Sequence, residues 1–162
     1  MDITFKPATE KDIPVIAQLA HKIWHKHYPD IITIEQIDYM LSNRYSAGAI
    51  GQQMRGGEKF FLAYAEDEPI AYASVELQDH FYYLHKFYVD VSKHRGGIGH
   101  HFFAYLLKQM DASKPIKLQV NRMNYKAINF YFKMGFVIEH AEDFEIGGGY
   151  YMNDFVMKRM AI

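Results

Sequence analysis

Residues 82–91, Tyr82-Tyr83-Leu84-His85-Lys86-Phe87-Tyr88-Val89-Asp90-Val91, run directly into Ser92-Lys93-His94-Arg95-Gly96-Gly97-Ile98-Gly99. The first stretch is rich in aromatic and β-branched residues and predicts a strand. Its glycines predict a tight turn. Beyond the turn, Ile98, Phe102, Phe103, Leu106, Leu107 and Met110 recur at helical spacing. A strand that enters a helix through glycines constrains both fold and chemistry. Glycine lets the backbone approach a ligand closely and take conformations closed to other residues. The free N–H groups and positive dipole end of the new helix attract an anion. A phosphate-bearing cofactor suits such a turn; a glycine helix start with no ligand is the plainer alternative.

The residues missing from the turn narrow the choice. No Lys-Ser or Lys-Thr follows the glycines, so the P-loop pattern fails. Gly97-Ile98-Gly99 is followed by Phe102 where the dinucleotide fingerprint needs a small residue. His94-Arg95-Gly96-Gly97-Ile98-Gly99 instead resembles the acetyl-CoA motif of the GNAT superfamily of N-acetyltransferases, Gln/Arg-x-x-Gly-x-Gly/Ala. The first position departs from it, because His94 is a cation only when protonated. A second GNAT signature, Asn-x-x-Ala-x-x-Phe-Tyr-x-Lys-x-Gly-Phe, is matched from Asn124 to Phe136 at every fixed position. Its physics fits a helix: Asn124 is a good N-cap, Gly135 a good stop, and Ala127, Ile128, Tyr131 and Met134 share a face. The resemblance covers about residues 1–160. Within the superfamily, Ile34 to Leu41 and Gly149 to Met157 are loosely similar to bacterial spermidine/spermine N-acetyltransferase-like proteins.

A chain of 162 residues is expected to form a single domain spanning residues 1–162. Its 49% hydrophobic and 23% charged residues suit an ordinary globule. A net charge of −1 offers no basic face for nucleic acid. No apolar run reaches the ~20 residues of a membrane span, and the first residues lack a signal-peptide layout. The expected compartment is the cytoplasm. The absence of cysteine excludes disulfides, thiolate metal sites and a cysteine nucleophile.

Periodicity and turn chemistry predict strands near residues 3–6, 60–65, 69–77, 82–91, 116–121, 136–142 and 150–160. Helices are predicted from Asp12, from the Thr33-x-x-Gln36 capping box, near 98–111 and over 124–134, with a further short helix from Ser46. The order predicts an α/β (α+β) layered domain with a mixed, mostly antiparallel sheet. The resemblance implies the GNAT-like form of it, with helices on both faces and the strands at 82–91 and 116–121 splayed so that a pantetheine arm enters the gap.

The resemblance also implies roles. Backbone groups of Val89 and Val91, with Asp90 between them, hold the pantetheine. His94, Arg95, Gly96, Gly97, Ile98, Gly99 and His100 cradle the pyrophosphate, and Asn124, Ala127 and Tyr131 complete the acetyl-CoA site. Tyr131 stands where the family places a general acid for the departing thiolate, and its ordinary pKa of ~10 lies near a thiol's ~8.5. His85, at a position where some relatives carry a base glutamate, would share a strand face with Phe87 and Val89; an ordered water is the alternative base. Trp24 and Tyr28 are candidates for an acceptor pocket or for plain helix packing. Glu35 and Glu76, together with Asp79, are candidate carboxylates for a cationic acceptor or surface charges. His21 and His25 share a helix face, but no third ligand is indicated and no metal is expected. These implications amount to an acetyl-CoA-dependent N-acetyltransferase acting on a small-molecule amine, a polyamine first among them. A homodimer is compatible with the sequence. A non-catalytic acyl-CoA-binding module is the reading from a different class, and a general phosphate-binding domain another.

Overall fold

The computed structural model describes residues 2–90, 92 and 96–161. Strand β1 (Ile3–Pro7) leads through a 3₁₀ turn (Glu10–Asp12) into helices α1 (Ile13–His27), α2 (Ile34–Arg44) and α3 (Ala47–Arg55). Strands β2 (Lys59–Ala65), β3 (Glu68–Leu77) and β4 (Tyr82–Val89) follow, then α4 (Ile98–Lys108), β5 (Ile116–Asn121), α5 (Tyr125–Lys133), β6 (Phe136–Gly147) and β7 (Tyr150–Arg159). The helix starts obey local chemistry. Pro14 sits in the first turn of α1, where its missing N–H costs nothing. Thr33 Oγ1 accepts from Gln36 N at 3.1 Å, Ser46 Oγ from Ala49 N at 3.2 Å, and Asn124 Oδ1 from Ala127 N at 3.4 Å. The box expected at Thr33 is half formed, because the Gln36 side chain turns away and donates to Tyr151 O on β7 at 2.8 Å.

One seven-stranded sheet runs β1-β2-β3-β4-β5-β7-β6. All pairs are antiparallel except β4–β5. A parallel pair needs a crossover, and α4 supplies it. Each face buries one core. Ile98, Phe102, Phe103 and Leu106 of α4 and Ile128 and Tyr131 of α5 pack on one face, with Leu118, Val120 and Met157. Helices α1–α3 cover the other through Ile16, Leu19, Ile23, Ile37, Leu41 and Ile50, packed on Phe60, Leu62 and Tyr72. Beneath α3, Lys86 Nζ lies 2.5 Å from Glu58 Oε2 and 2.9 Å from Gln53 Oε1, and Ser74 donates to the same Glu58 oxygen. Burial lowers the Lys86 pKa while Glu58 opposes that shift.

Strand β6 continues past the expected 142 to Gly147, making a long hairpin with β7. Its turn, Gly147-Gly148-Gly149, is left-handed throughout (φ 95, 62 and 81). The Tyr39 hydroxyl on α2 donates to Ile146 O at 3.1 Å. A Cβ on Gly147 would lie 2.4 Å from that hydroxyl oxygen, so α2 and the hairpin turn fit only with a hydrogen there.

Candidate active site

Strands β4 and β5 pair only at Tyr82↔Ile116 and Tyr83↔Lys117. The Tyr83 hydroxyl donates to Gln119 Oε1 just past that point. Beyond it the strands diverge, and residues 84–89 bond to β3 on one edge while the other edge faces the gap. Free strand-edge amides and carbonyls of this kind suit an extended amide-bearing arm. Gly96 and Gly97, both left-handed (φ 80 and 88), lead into α4 beside the end of β4. Among the described residues, no atom lies within 4 Å of a Cβ built on Gly96, and a Cβ on Gly97 would meet only His101 Cδ2, at 4.0 Å. Among the described residues nothing fills the space above the first turn of α4, and helix N-terminal N–H groups of this kind suit an anion. His100 is exposed on that turn, whereas Ile98 is buried in the core.

Gly99 meets a packing demand as well. Its Cβ would lie 3.2 Å from Phe130 Cε1, so this glycine lets α4 pack on α5. Asp90 is 2% exposed, with Lys22 Nζ at 3.0 Å and Lys26 Nζ at 4.0 Å. Ser92 donates to Asp90 Oδ1 from its N at 3.2 Å and its Oγ at 2.6 Å. Burial pushes the Asp90 carboxyl up, but the Ser92 and Lys22 bonds outweigh it and hold the group below its usual value. Asp90 thus anchors the strand-to-turn junction to α1. Val89 is partly buried against the core, and Val91, His94 and Arg95 lie outside the described residues.

On the helix side of the gap, His85 corrects the sequence reading. Ser74 pairs with Lys86 and Val75 with Leu84, which makes His85 the extra residue of a β-bulge. Strict alternation fails there. Phe87 and Val89 pack toward α4, while the His85 ring lies 4.7 Å from that of Tyr83 and its Nε2 is 2.8 Å from Glu76 Oε1. Trp24 is 2% exposed and donates to Tyr72 Oη at 3.1 Å, so it packs the core and does not line a pocket. Glu35 stands exposed on the first turn of α2, and Asp79 is exposed beyond β3.

Tyr131 is 8% exposed, its ring packed against those of Phe130, Phe136 and Phe87. Burial pushes its phenol well above the ordinary value, and the charge of Tyr28 acts in the same direction. Tyr28 and Tyr88 approach from the opposite face, hydroxyl to hydroxyl at 3.1 Å. Burial raises Tyr28 to about 12, and Tyr88 is raised by burial and by neighbours that include Tyr131. Tyrosines belonging to the two cores therefore sense one another across the opening. Asn124, 5% exposed, takes His27 Nε2 at 3.2 Å beside its capping bond to Ala127. Burial lowers the His27 pKa.

One residue of this region has no place in the sequence reading. Asp154 on β7 lies opposite Asn121 at the end of β5 and is 5% exposed. Its Oδ1 has no hydrogen-bond partner among the described residues. Burial raises its carboxyl to about 7, with Arg122 opposing. The signal is present in the sequence: Met152, Asp154 and Val156 share one strand face, which puts an acid at a position of core parity.

Among the described residues no cluster of histidines and acids could hold a metal. His25 instead contacts His21 O and Asp38. No helix is long and apolar enough to cross a membrane. Two open hollows, of about 510 and 410 Å³, involve β1 and its neighbours and not the gap.

Comparison with known proteins agrees with this geometry. A family model described as an acetyltransferase (GNAT) domain matches residues 31–149. Among solved structures, the PaiA N-acetyltransferase of Thermoplasma acidophilum, in complex with coenzyme A, superposes with a TM-score of 0.83 at 21% identity, over 99% of both chains. A GCN5-related N-acetyltransferase from Rhodopseudomonas palustris gives 0.82 at 17% identity, over 99% of this chain and 96% of that one. The ribosomal-protein-S18-alanine N-acetyltransferase of Escherichia coli gives 0.72 at 16%, over 99% and 94%. These neighbours share the splayed α+β fold, and the family match makes acetyl-CoA the acyl donor. With the glycine turn, the divided sheet and that match in agreement, the chain belongs to the GNAT family of acetyltransferases.

Proposed function

We propose that this acetyltransferase transfers the acetyl group directly to the nitrogen of a primary amine, and that its acceptor is a small cationic amine, with a polyamine as first choice. The observation that carries the reading is that Tyr131, from one core, acts electrostatically on the hydrogen-bonded pair Tyr28 and Tyr88 of the other, with the Asp154 charge acting on Tyr28 as well. Acetyl-CoA supplies an activated thioester when bound. Strand-edge groups of Val89 would hold its pantetheine amide, and Gly96, Gly97 and the first turn of α4 its pyrophosphate. An amine with a lysine-like pKa of ~10.4 must lose a proton before it can attack. Tyr131, kept protonated by burial, would give a proton to sulfur as the C–S bond breaks. No cysteine is present to carry the acyl group, which supports direct transfer. Glu76, paired with His85 at the rim, adds negative charge for a cationic acceptor.

A panel of polyamines, aminoglycosides, amino acids and peptides, scored by release of free CoA, tests the reading. Polyamines should turn over best. Preference for a neutral or anionic amine would refute the acceptor class, and failure of every amine in the panel to release CoA would leave acyl-CoA binding alone.

A further inference from the structure

Asp154 is a buried acid that the fold does not explain. The cation that acts on it is bonded elsewhere: Arg122 donates from Nη1 to the Asp154 backbone carbonyl at 3.2 Å and from Nη2 to Asp143 at 2.6 Å. A buried oxygen without a donor destabilises a protein. Where one persists, the site commonly has a use for it.

Its surroundings indicate that use. The charge of Asp154 is felt by Tyr28, from the turn after α1, and by Tyr83, on β4 at the point of divergence. Tyr28 in turn is felt by Tyr131. Glu142 is its cross-strand neighbour on β6, exposed and paired with His140 at 3.1 Å. Arg122 is the cation that opposes burial. The acid thus stands on the helix-α1 side of the gap, and Tyr131 reaches the gap from the other side.

We propose that the Asp154 carboxylate takes the proton that the acceptor ammonium gives up before it attacks the thioester. The step rests on the amine-acetylating reading above and balances simply. R–NH₃⁺ passes one proton to Asp154, leaving R–NH₂ and a neutral carboxylic acid. The amine nitrogen forms its bond to the acetyl carbon, and the C–S bond breaks. Tyr131 protonates the sulfur and recovers a proton from the new amide nitrogen, while Asp154 returns its own to solvent. A carboxyl raised by burial is a better proton acceptor near neutrality than an ordinary one. His85 is the rival base, and its ring is already bonded to Glu76.

The test uses the full chain with acetyl-CoA and spermine as the probe amine. Asp154→Asn should lower turnover by ~10²-fold or more while acetyl-CoA affinity stays within about twofold. The acid limb of kcat/KM, with its midpoint near 7, should vanish in this variant and survive in His85→Gln. Carboxyl ¹³C resonances of labelled aspartate read the same group without turnover. One signal should titrate near pH 7 in the wild type and move when spermine is added. An unchanged acid limb in an active Asp154→Asn variant would overturn the proposal. So would an Asp154 signal that titrates in the usual range or ignores every panel amine. Should no amine be acetylated while the Asp154 signal still shifts with spermine, the transfer reading fails and amine contact at Asp154 stands.

Discussion

Two buried aspartates flank the ends of the gap, and they are built in opposite ways. Asp90, where β4 meets the glycine turn, holds Lys22 and two bonds from Ser92. Asp154, at the far wall, has an oxygen without a hydrogen bond; Asp90 Oδ2 lacks one too, but it has the Lys22 ammonium at 3.0 Å. One carboxyl is held below its usual value and the other is raised to about 7, although each is nearly inaccessible. Burial alone therefore does not set the chemistry of an acid; the donors brought to it do. The Asp90 side is a finished joint that holds the backbone in place. The Asp154 side, where the acceptor is proposed to bind, leaves capacity open.

The contrast can be broken most severely at Tyr131, which bridges both sides. Tyr131→Phe keeps the ring packing and deletes the proton, so turnover should fall ~10²–10⁴-fold with acetyl-CoA affinity nearly unchanged. Near-wild-type turnover, measured where chemistry limits the rate, would reduce Tyr131 to a packing residue.

The aspartates themselves give opposite stability profiles. Asp154 has a raised folded pKa, so it costs nothing below its unfolded value of 3.8 and progressively more as pH climbs to about 7. Asp154→Asn should match the wild type near pH 4 and exceed it above pH 7 by about 1–4 kcal/mol. Asp90 has a lowered folded pKa, so its contribution is present above 3.8 and is lost as pH falls through the folded value. Asp90→Asn should destabilise by about 1–3 kcal/mol at pH 7 and converge on the wild type in acid. Denaturant melts from pH 4 to 8 check both signs, and parallel profiles would erase the distinction.

Gly97→Val should weaken acetyl-CoA binding by about tenfold or more, at least ~1.4 kcal/mol. Gly57→Val is the control, since it is also left-handed (φ 110) and open, but lies in the turn before β2. Equal calorimetric affinities in the two folded variants would remove the phosphate role of the turn. The smallest effect expected is on salt: raising ionic strength should increase the KM for spermine a few-fold, because exposed attraction is screened beyond ~8–10 Å.

The two sides also differed in how far the sequence disclosed them. The glycine turn, the start of α4 and the α5 signature are local, and their chemistry can be read from consecutive residues. Most helix starts and all seven strands could be read for the same reason. The acceptor side depends on register. One extra residue at His85 sends its ring toward Glu76 and away from the Phe87 face, and no periodicity rule anticipates a bulge. Trp24 stays open between pocket lining and packing in the sequence because its partner, the Tyr72 hydroxyl, lies far along the chain. The parity of Asp154 marks it in the sequence, but only the β5–β7 pairing brings its charge within the influence of Tyr28 and Tyr83.

The seating of Tyr39 on the β6–β7 turn has a consequence for anyone who would change the acceptor. Helix α2 and the hairpin behave as one cassette, keyed by the Tyr39 hydroxyl, the glycine that accommodates it and the Gln36 reach to Tyr151. Transplanting α2 from another enzyme without its hairpin should give a poorly folded chimera, whereas exchanging the two together should preserve folding. A stable, active chimera carrying α2 alone would show that the wall comes apart into separately exchangeable pieces.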